Sequence, residues 1–215
     1  MTQTQTQHGA EPARKVVVFG ASGRIGRAVV AEARRRGIAV TEAGRADGSV
    51  TDPADVARLA AGHDAAVAAV YDPSAPPGTY FPAVARALAE GLPAAGVGRL
   101  VLVGLASVLP TATGELLMDT PGYPQEWREF YVGHGAGTDA LRAAAPAGLD
   151  WAVVSPAGDF DHGGVPVGGY APAPARADAR ITPADFARAV VDEVEVPTLH
   201  GRHAGVTGAG ADGPR

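Results

Sequence analysis

The chain has 215 residues, 46% of them hydrophobic, a formal net charge of −5 and no cysteine. That length suffices for one α/β domain with a sizeable core, and the missing thiols exclude disulfides, thiolate metal sites and a cysteine nucleophile. No run of about 18 apolar residues and no basic stripe is present, and Met1–Glu11 is polar with no hydrophobic h-region, so neither a membrane nor a nucleic acid is an expected partner and the expected location is cytoplasmic.

Residues 1–13 and 208–215 are polar or Gly-rich and aperiodic, which predicts flexible tails around one domain over 14–207. The run Val16-Val17-Val18-Phe19 predicts a buried strand over 15–20. It meets Gly20, Gly23 and Gly26, and a helical pattern over 24–36 follows, closed by Gly37 at a C′ position. Strand, tight turn and helix in that order suit a dinucleotide pyrophosphate. The glycines let backbone approach the phosphates, and the helix start supplies unpaired N–H groups at a positive dipole end. In this turn Ser22 is placed to donate to a phosphate oxygen and Ile25 to pack beneath it. The bland alternative is a Gly-rich turn of any α/β protein.

A second strand is predicted over 38–43, ending near Arg45. An acid at that point would accept from the ribose 2′-hydroxyl of NAD, whereas an arginine suits the 2′-phosphate of NADP. Arg45, assisted by Arg24, therefore favours NADP(H) over NAD(H), against the alternative of two solvated arginines among the chain's seventeen. Asp52 and Pro53 read as N-cap and N1 of a helix through 61. Further strands are expected over 64–70, 99–105, 151–155 and 202–207, and helices over 80–90, 138–145 and 183–194, the last capped by Thr182. The alternation implies a doubly wound, mostly parallel sheet with helices on both faces and ligands at the strands' carboxyl ends. Val70, Tyr71, Ser107, Ser155 and Pro156 end strands on that side and are candidates for contact with the nicotinamide half, although Ser107 and Ser155 serve equally as backbone caps. Three Gly- and Pro-rich loops, 72–82, 110–125 and 156–175, follow strand ends and are expected to converge over the cofactor, the last two as a substrate lid.

Several blocks carry a family resemblance over about 15–207. They include Gly20-Ala21-Ser22-Gly23 with Gly26, Val40-Thr41-Glu42-Ala43-Gly44-Arg45, Gly62-His63-Asp64, Leu100-Val101-Leu102-Val103-Gly104, Met118-Asp119-Thr120-Pro121-Gly122 and Leu149-Asp150-Trp151 through Ser155-Pro156. In these the chain resembles the atypical short-chain dehydrogenase-like NAD(P)H-binding proteins of the NADH-flavin reductase and biliverdin reductase B group. The resemblance implies a Rossmann-type domain and an NAD(P)H-dependent oxidoreductase with a small-molecule acceptor, a flavin among them, acting as monomer or homodimer. Only Ala46-Asp47-Gly48-Ser49 stands where relatives carry a further edge strand, so that third strand is expected short or missing.

Ordinary short-chain dehydrogenases use a Tyr-x-x-x-Lys pair. The only lysine here is Lys15, and Gly135 stands four residues after Tyr131, so that mechanism is excluded. Tyr131 and His134, expected just before the helix that flanks the active site in relatives, are the candidate catalytic residues. His134 would be a proton donor near neutral pH, or else structural. Asp119 is expected to orient its loop. His162, His200 and His203 show no ligand spacing, and no metal is expected. Hydride transfer to a flavin tolerates these absences because the reactivity lies in the cofactor. The alternatives are a tailoring enzyme that reduces, isomerises or cyclises a specialised metabolite, and a non-catalytic NAD(P)-binding sensor.

Overall fold

The apolar run after Lys15 forms β1 (Lys15–Phe19) in the computed structural model, which describes residues 15–210. Residues 1–13 and 211–215 of the expected tails lie outside the described residues. There follow α1 (Arg24–Arg35), β2 (Ala39–Ala43), α2 (Pro53–Ala60), β3 (Ala65–Ala68), α3 (Pro77–Ala94) and β4 (Arg99–Val103). The chain continues through α4 (Arg128–Ala144), β5 (Asp150–Pro156), β6 (Asp159–Phe160), β7 (Tyr170–Pro172), β8 (Arg180–Ile181), α5 (Pro183–Glu195) and β9 (Arg202–Gly208). The main sheet runs β2-β1-β3-β4-β5-β9-β7, parallel throughout except where β7 pairs antiparallel with β9; β6 and β8 form a separate small pair. Because β2 is the edge, no strand occupies 45–52, in agreement with the shortened segment there.

Side chains alternate across the sheet and each face is covered. Val16 and Val18 of β1 join Val67, Val101 and Val154 beneath α1 and α5, where Phe186, Val190 and Val191 are fully buried. Val17 and Phe19 point the other way, against Val56 of α2, Val84, Leu88 and Leu92 of α3 and Leu141 of α4. Each such aliphatic or aromatic side chain contributes roughly 1.5–3 kcal/mol of transfer free energy. The caps are as the sequence reads: Asp52 accepts from the Ala54 amide (2.9 Å), Thr182 accepts from the Asp185 amide (3.1 Å), and Gly37 takes φ +81° after α1.

Two helices begin earlier than their propensity predicts. α3 starts at Pro77 rather than residue 80, and α4 starts at Arg128 rather than 138, which places Tyr131 and His134 inside a helix and not in a loop. The reason is packing. A Cβ on Gly133 would lie 2.6 Å from the Pro77 carbonyl carbon, and one on Gly137 would lie 2.8 Å from Phe81 Cβ. The glycines weaken helix propensity by up to about 1 kcal/mol each, yet they let α4 press against α3, and tertiary contact overrides the local preference.

Candidate functional site

A cleft of about 970 Å³ opens at the carboxyl ends of β1, β2, β3 and β4. Its first end is built by the glycine turn. Gly20 takes φ +77°, and a Cβ there would stand 2.2 Å from the Ala69 carbonyl oxygen. Gly26 packs equally close, its imagined Cβ 2.1 Å from the Gly20 oxygen. The turn is therefore held shut against β3 by the absence of side chains. Gly23 is the N-cap of α1, with no side-chain cap and no acid in the first turn, so the leading amides keep no side-chain acceptor of their own. Arg27 donates to the Ser22 carbonyl and fastens the outer side of the turn. Ser22, Gly23, Arg24, Ile25 and Arg45 all line the cleft, with Ser49, Val50 and Thr51 from the segment that replaces the missing strand. These features fit a dinucleotide: a cradle free of Cβ atoms, an uncapped helix start and two arginines. Asp47, two residues past Arg45, accepts from the Gly44 amide (2.8 Å).

The other end is aromatic. Tyr71 packs edge-on to Phe130 (centroids 5.3 Å apart, planes at 80°), Phe130 packs edge-on to Phe81 (5.6 Å), and the His134 ring lies over Phe81 at 3.8 Å. Phe160, the last residue of β6, and His162 in the loop beyond it complete the wall, their rings 5.9 Å apart. That loop is fixed by the buried Asp185 carboxylate, which accepts from the Val167 and Gly168 amides (both 2.9 Å) and from the Thr182 hydroxyl (2.8 Å). Among the described residues, Arg24 and Arg45 are the only Lys or Arg side chains lining the cleft, and both lie at the glycine end.

His134 does not have the neutral-pH titration that the sequence suggests. Burial, with a smaller contribution from the nearby His203, pushes its pKa down to about 3, so the imidazole stays uncharged. Tyr131 is not in the cleft. It is buried on another face of α4, edge-on to Tyr123 at 5.5 Å, and burial raises its pKa. Ser107, Ser155 and Pro156 also lie outside the cleft lining. Both serines are buried, with side-chain partners: Ser107 Oγ stands 2.8 Å from the Tyr123 hydroxyl and Ser155 Oγ 2.7 Å from His203 Nε2. Gly26 sits beneath the turn rather than on its surface. Of the three loops, 72–82 and 156–175 contribute to the lining and 110–125 does not. Instead Leu117 packs with Ala106, Leu109 and Ala175, and Asp119 pairs with Arg128 (2.6 Å), tying this loop to the start of α4. Among the described residues no cluster of His, Asp or Glu has the makings of a metal site, and no helix is long and apolar enough to cross a membrane.

Phe130, Phe160, His162, Tyr80 and Asp72 line the site without having been legible as site residues. One compositional signal was available: a chain only 6% aromatic places a Phe or Tyr at 71, 80, 81, 130 and 160, each beside a loop on the ligand side.

The geometry is that of a nucleotide-binding α/β domain, and comparison with known proteins agrees. Residues 41–197 match the NAD(P)H-binding family, and the chain belongs to that family. The match begins after the glycine turn, so the two indications are independent. The uncharacterized protein YwnB of Bacillus subtilis is 33% identical over 200 residues, which is 85% of this chain and 93% of that protein. A Burkholderia pseudomallei protein provisionally named as exported superposes with a TM-score of 0.79 at 32% identity, covering 90% of this chain and 98% of its own. A Streptococcus pneumoniae protein provisionally named an NADH-flavin reductase superposes at 0.72 with 27% identity, covering 91% and 99%.

Proposed function

We propose that the protein is an NAD(P)H-dependent oxidoreductase that passes hydride from NADPH, in preference to NADH, to a planar acceptor of the flavin type. The observation that carries this reading is the division of one cleft into a phosphate-ready glycine end and an aromatic end. When bound, the nicotinamide supplies the hydride, which leaves the oxidised cofactor and the two-electron-reduced acceptor, with the balancing proton drawn from water. The chain's own part is to bind and orient. Ser22 and the first amides of α1 hold the pyrophosphate, Arg24 and Arg45 face the adenosine side, and Val70 and Tyr71 lead into the acceptor chamber. Phe130, His134 and Phe160 offer flat apolar faces to a second ring. An uncharged His134 suits that task as a surface and hydrogen-bond partner, without delivering a proton as a cation.

The name of the S. pneumoniae neighbour supports the flavin-reductase reading, and the absence of any lysine beyond Lys15, at the opposite end of β1, is compatible with it. The test is a fluorescence titration with NADPH and NADH, followed by the reduced-nicotinamide absorbance after adding FMN, FAD, riboflavin or a quinone. Binding with acceptor-dependent oxidation is expected. Tight binding with no oxidation by any of these acceptors would sink the reductase reading in favour of a sensor or a dedicated metabolite enzyme. No binding would sink the cofactor reading itself.

A further inference from the structure

The adenosine end of the cleft holds a charged side chain opposite Arg45. Asp72 stands on the loop between β3 and α3, and its Oδ1 lies 3.8 Å from Arg45 Nη1. Both residues line the cleft, as does Tyr80, whose phenol lies within the field of both charges. The two members of the pair are held very differently. The Arg45 side chain is 84% exposed, whereas that of Asp72 is 24% exposed. Asp72 Oδ1 accepts from the Ser74 amide (2.9 Å) and the Ser74 hydroxyl (2.6 Å), and these bonds, with the Arg45 guanidinium adding to them, keep its carboxyl below the usual range. The acid is the fixed partner and the arginine the movable one.

Resting on the reading of Arg45 as the partner of a 2′-phosphate, we propose that Asp72 is a specificity-determining residue that holds Arg45 as an internal counter-ion and so weakens NADPH binding relative to NADH. A 2′-phosphate carries roughly −1.5 to −2 charges at neutral pH and is best met by a guanidinium with both of its N–H edges free. To gain Arg45 it must draw the guanidinium away from Asp72 and then rest close to a fixed negative charge. NADH meets neither obstacle, because its 2′-hydroxyl is neutral and donates readily to a carboxylate. The cofactor preference is thus the outcome of the Arg45–Asp72 pair, and Arg45 alone would discriminate more sharply. Exposed pairs of this kind are individually weak, so the effect is a tuning of about five- to tenfold.

The test measures NADPH and NADH dissociation constants for the wild type, Asp72→Asn, Arg45→Ala and the double variant at low ionic strength, without any acceptor. Asparagine keeps an Oδ1 that accepts both Ser74 bonds, so the turn survives the loss of charge. Asp72→Ser repeats the measurement on a second background, and thermal melting checks that each variant folds. The expected result is NADPH bound about five- to tenfold more tightly by Asp72→Asn, NADH changed less than twofold, and no such gain when Arg45 is already alanine. An unchanged cofactor ratio in Asp72→Asn and Asp72→Ser, while Arg45→Ala loses its NADPH preference, would overturn the role of Asp72 and leave the reading of Arg45 standing. A gain that persists in the double variant would overturn the pairing. If Arg45→Ala itself keeps the wild-type ratio, the reading of Arg45 fails and this inference fails with it.

Discussion

The two ends of the cleft are made by different means. At the glycine end the phosphate cradle is formed by residues adjacent in sequence, one strand, one turn and the first turn of α1, with only Arg45 and the 48–51 segment added from beyond β2. At the aromatic end the walls come from separate elements, with Tyr71 after β3, Tyr80 on α3, Phe130 and His134 on α4, and Phe160 on β6, while Phe81 backs Phe130 and His134 from beneath. One end depends on missing side chains and the other on large ones. The comparison raises the question whether binding and acceptor choice are separable, since the phosphate cradle is made by the absence of side chains and the second chamber by large ones, with the Arg45–Asp72 pair at the join between them.

Substitutions at the two ends are ways to break that separation. The largest effect is expected for Gly26→Val, whose branched side chain has no room beside the Gly20 carbonyl. It should abolish detectable NADPH binding and lower stability by about 3 kcal/mol, read by titration and by denaturant unfolding. Phe130→Ala attacks the other end. It removes edge-on contacts to Tyr71 and Phe81 and a ring contact to His134, and kcat/KM for the acceptor is expected to fall about 10- to 30-fold while the NADPH dissociation constant stays within twofold. Equal losses in both quantities would show that the ends are coupled. Arg45→Ala, a change confined to the glycine end, should reduce the NADPH-over-NADH preference about tenfold and leave acceptor kcat untouched at saturating cofactor.

A change that leaves the cofactor and acceptor chemistry aside is the dependence of stability on pH. His134 and His203 have folded pKa values lowered to about 3 and about 4, chiefly by burial, whereas an unfolded histidine titrates near 6.5. Below that pH the unfolded chain takes up protons that the folded one refuses, so their stabilising contribution is complete above about 6.5 and shrinks as pH falls towards the folded values. Melting temperature should therefore decline from pH 6.5 to 5 by the equivalent of about 1–2 kcal/mol per histidine, and His134→Phe should flatten part of the slope. An unaltered slope in that variant would show that His134 is protonated as easily folded as unfolded.

The contrast also explains what the sequence made legible. The glycine turn, its flanking strand and helix, the Asp52 and Thr182 caps and the six parallel strands were all readable, because each rests on neighbours in the chain or on the regular alternation of apolar segments. The aromatic end was not, because nothing local says that Phe81 and Phe130 will meet across two helices. Residues 128–137 were hardest. With Gly133, Gly135 and Gly137 in ten residues, intrinsic propensity argues against a helix, and only tertiary contact makes them useful, with α3 at Gly133 and Gly137 and with Val108 at Gly135. Once Tyr131 was taken out of its helix, its direction was lost too, and it proves to face Tyr123 rather than the cleft. Ser155 lies at the carboxyl end of β5 as expected, whereas Ser107 falls in a short helical turn four residues past β4, and both side chains turn inward, to His203 and Tyr123.

The glycines of α4 act as spacers of zero thickness. The helix that carries Phe130 and His134 rests directly on Pro77 and Phe81, so the separation of two backbones sets where one wall of the acceptor chamber stands. A lineage could widen that chamber, and admit bulkier acceptors, by lengthening a side chain at 133 or 137 on the side of the helix that rests on α3. The aperture would then be adjusted like a shimmed bearing, with the phosphate cradle left as it was.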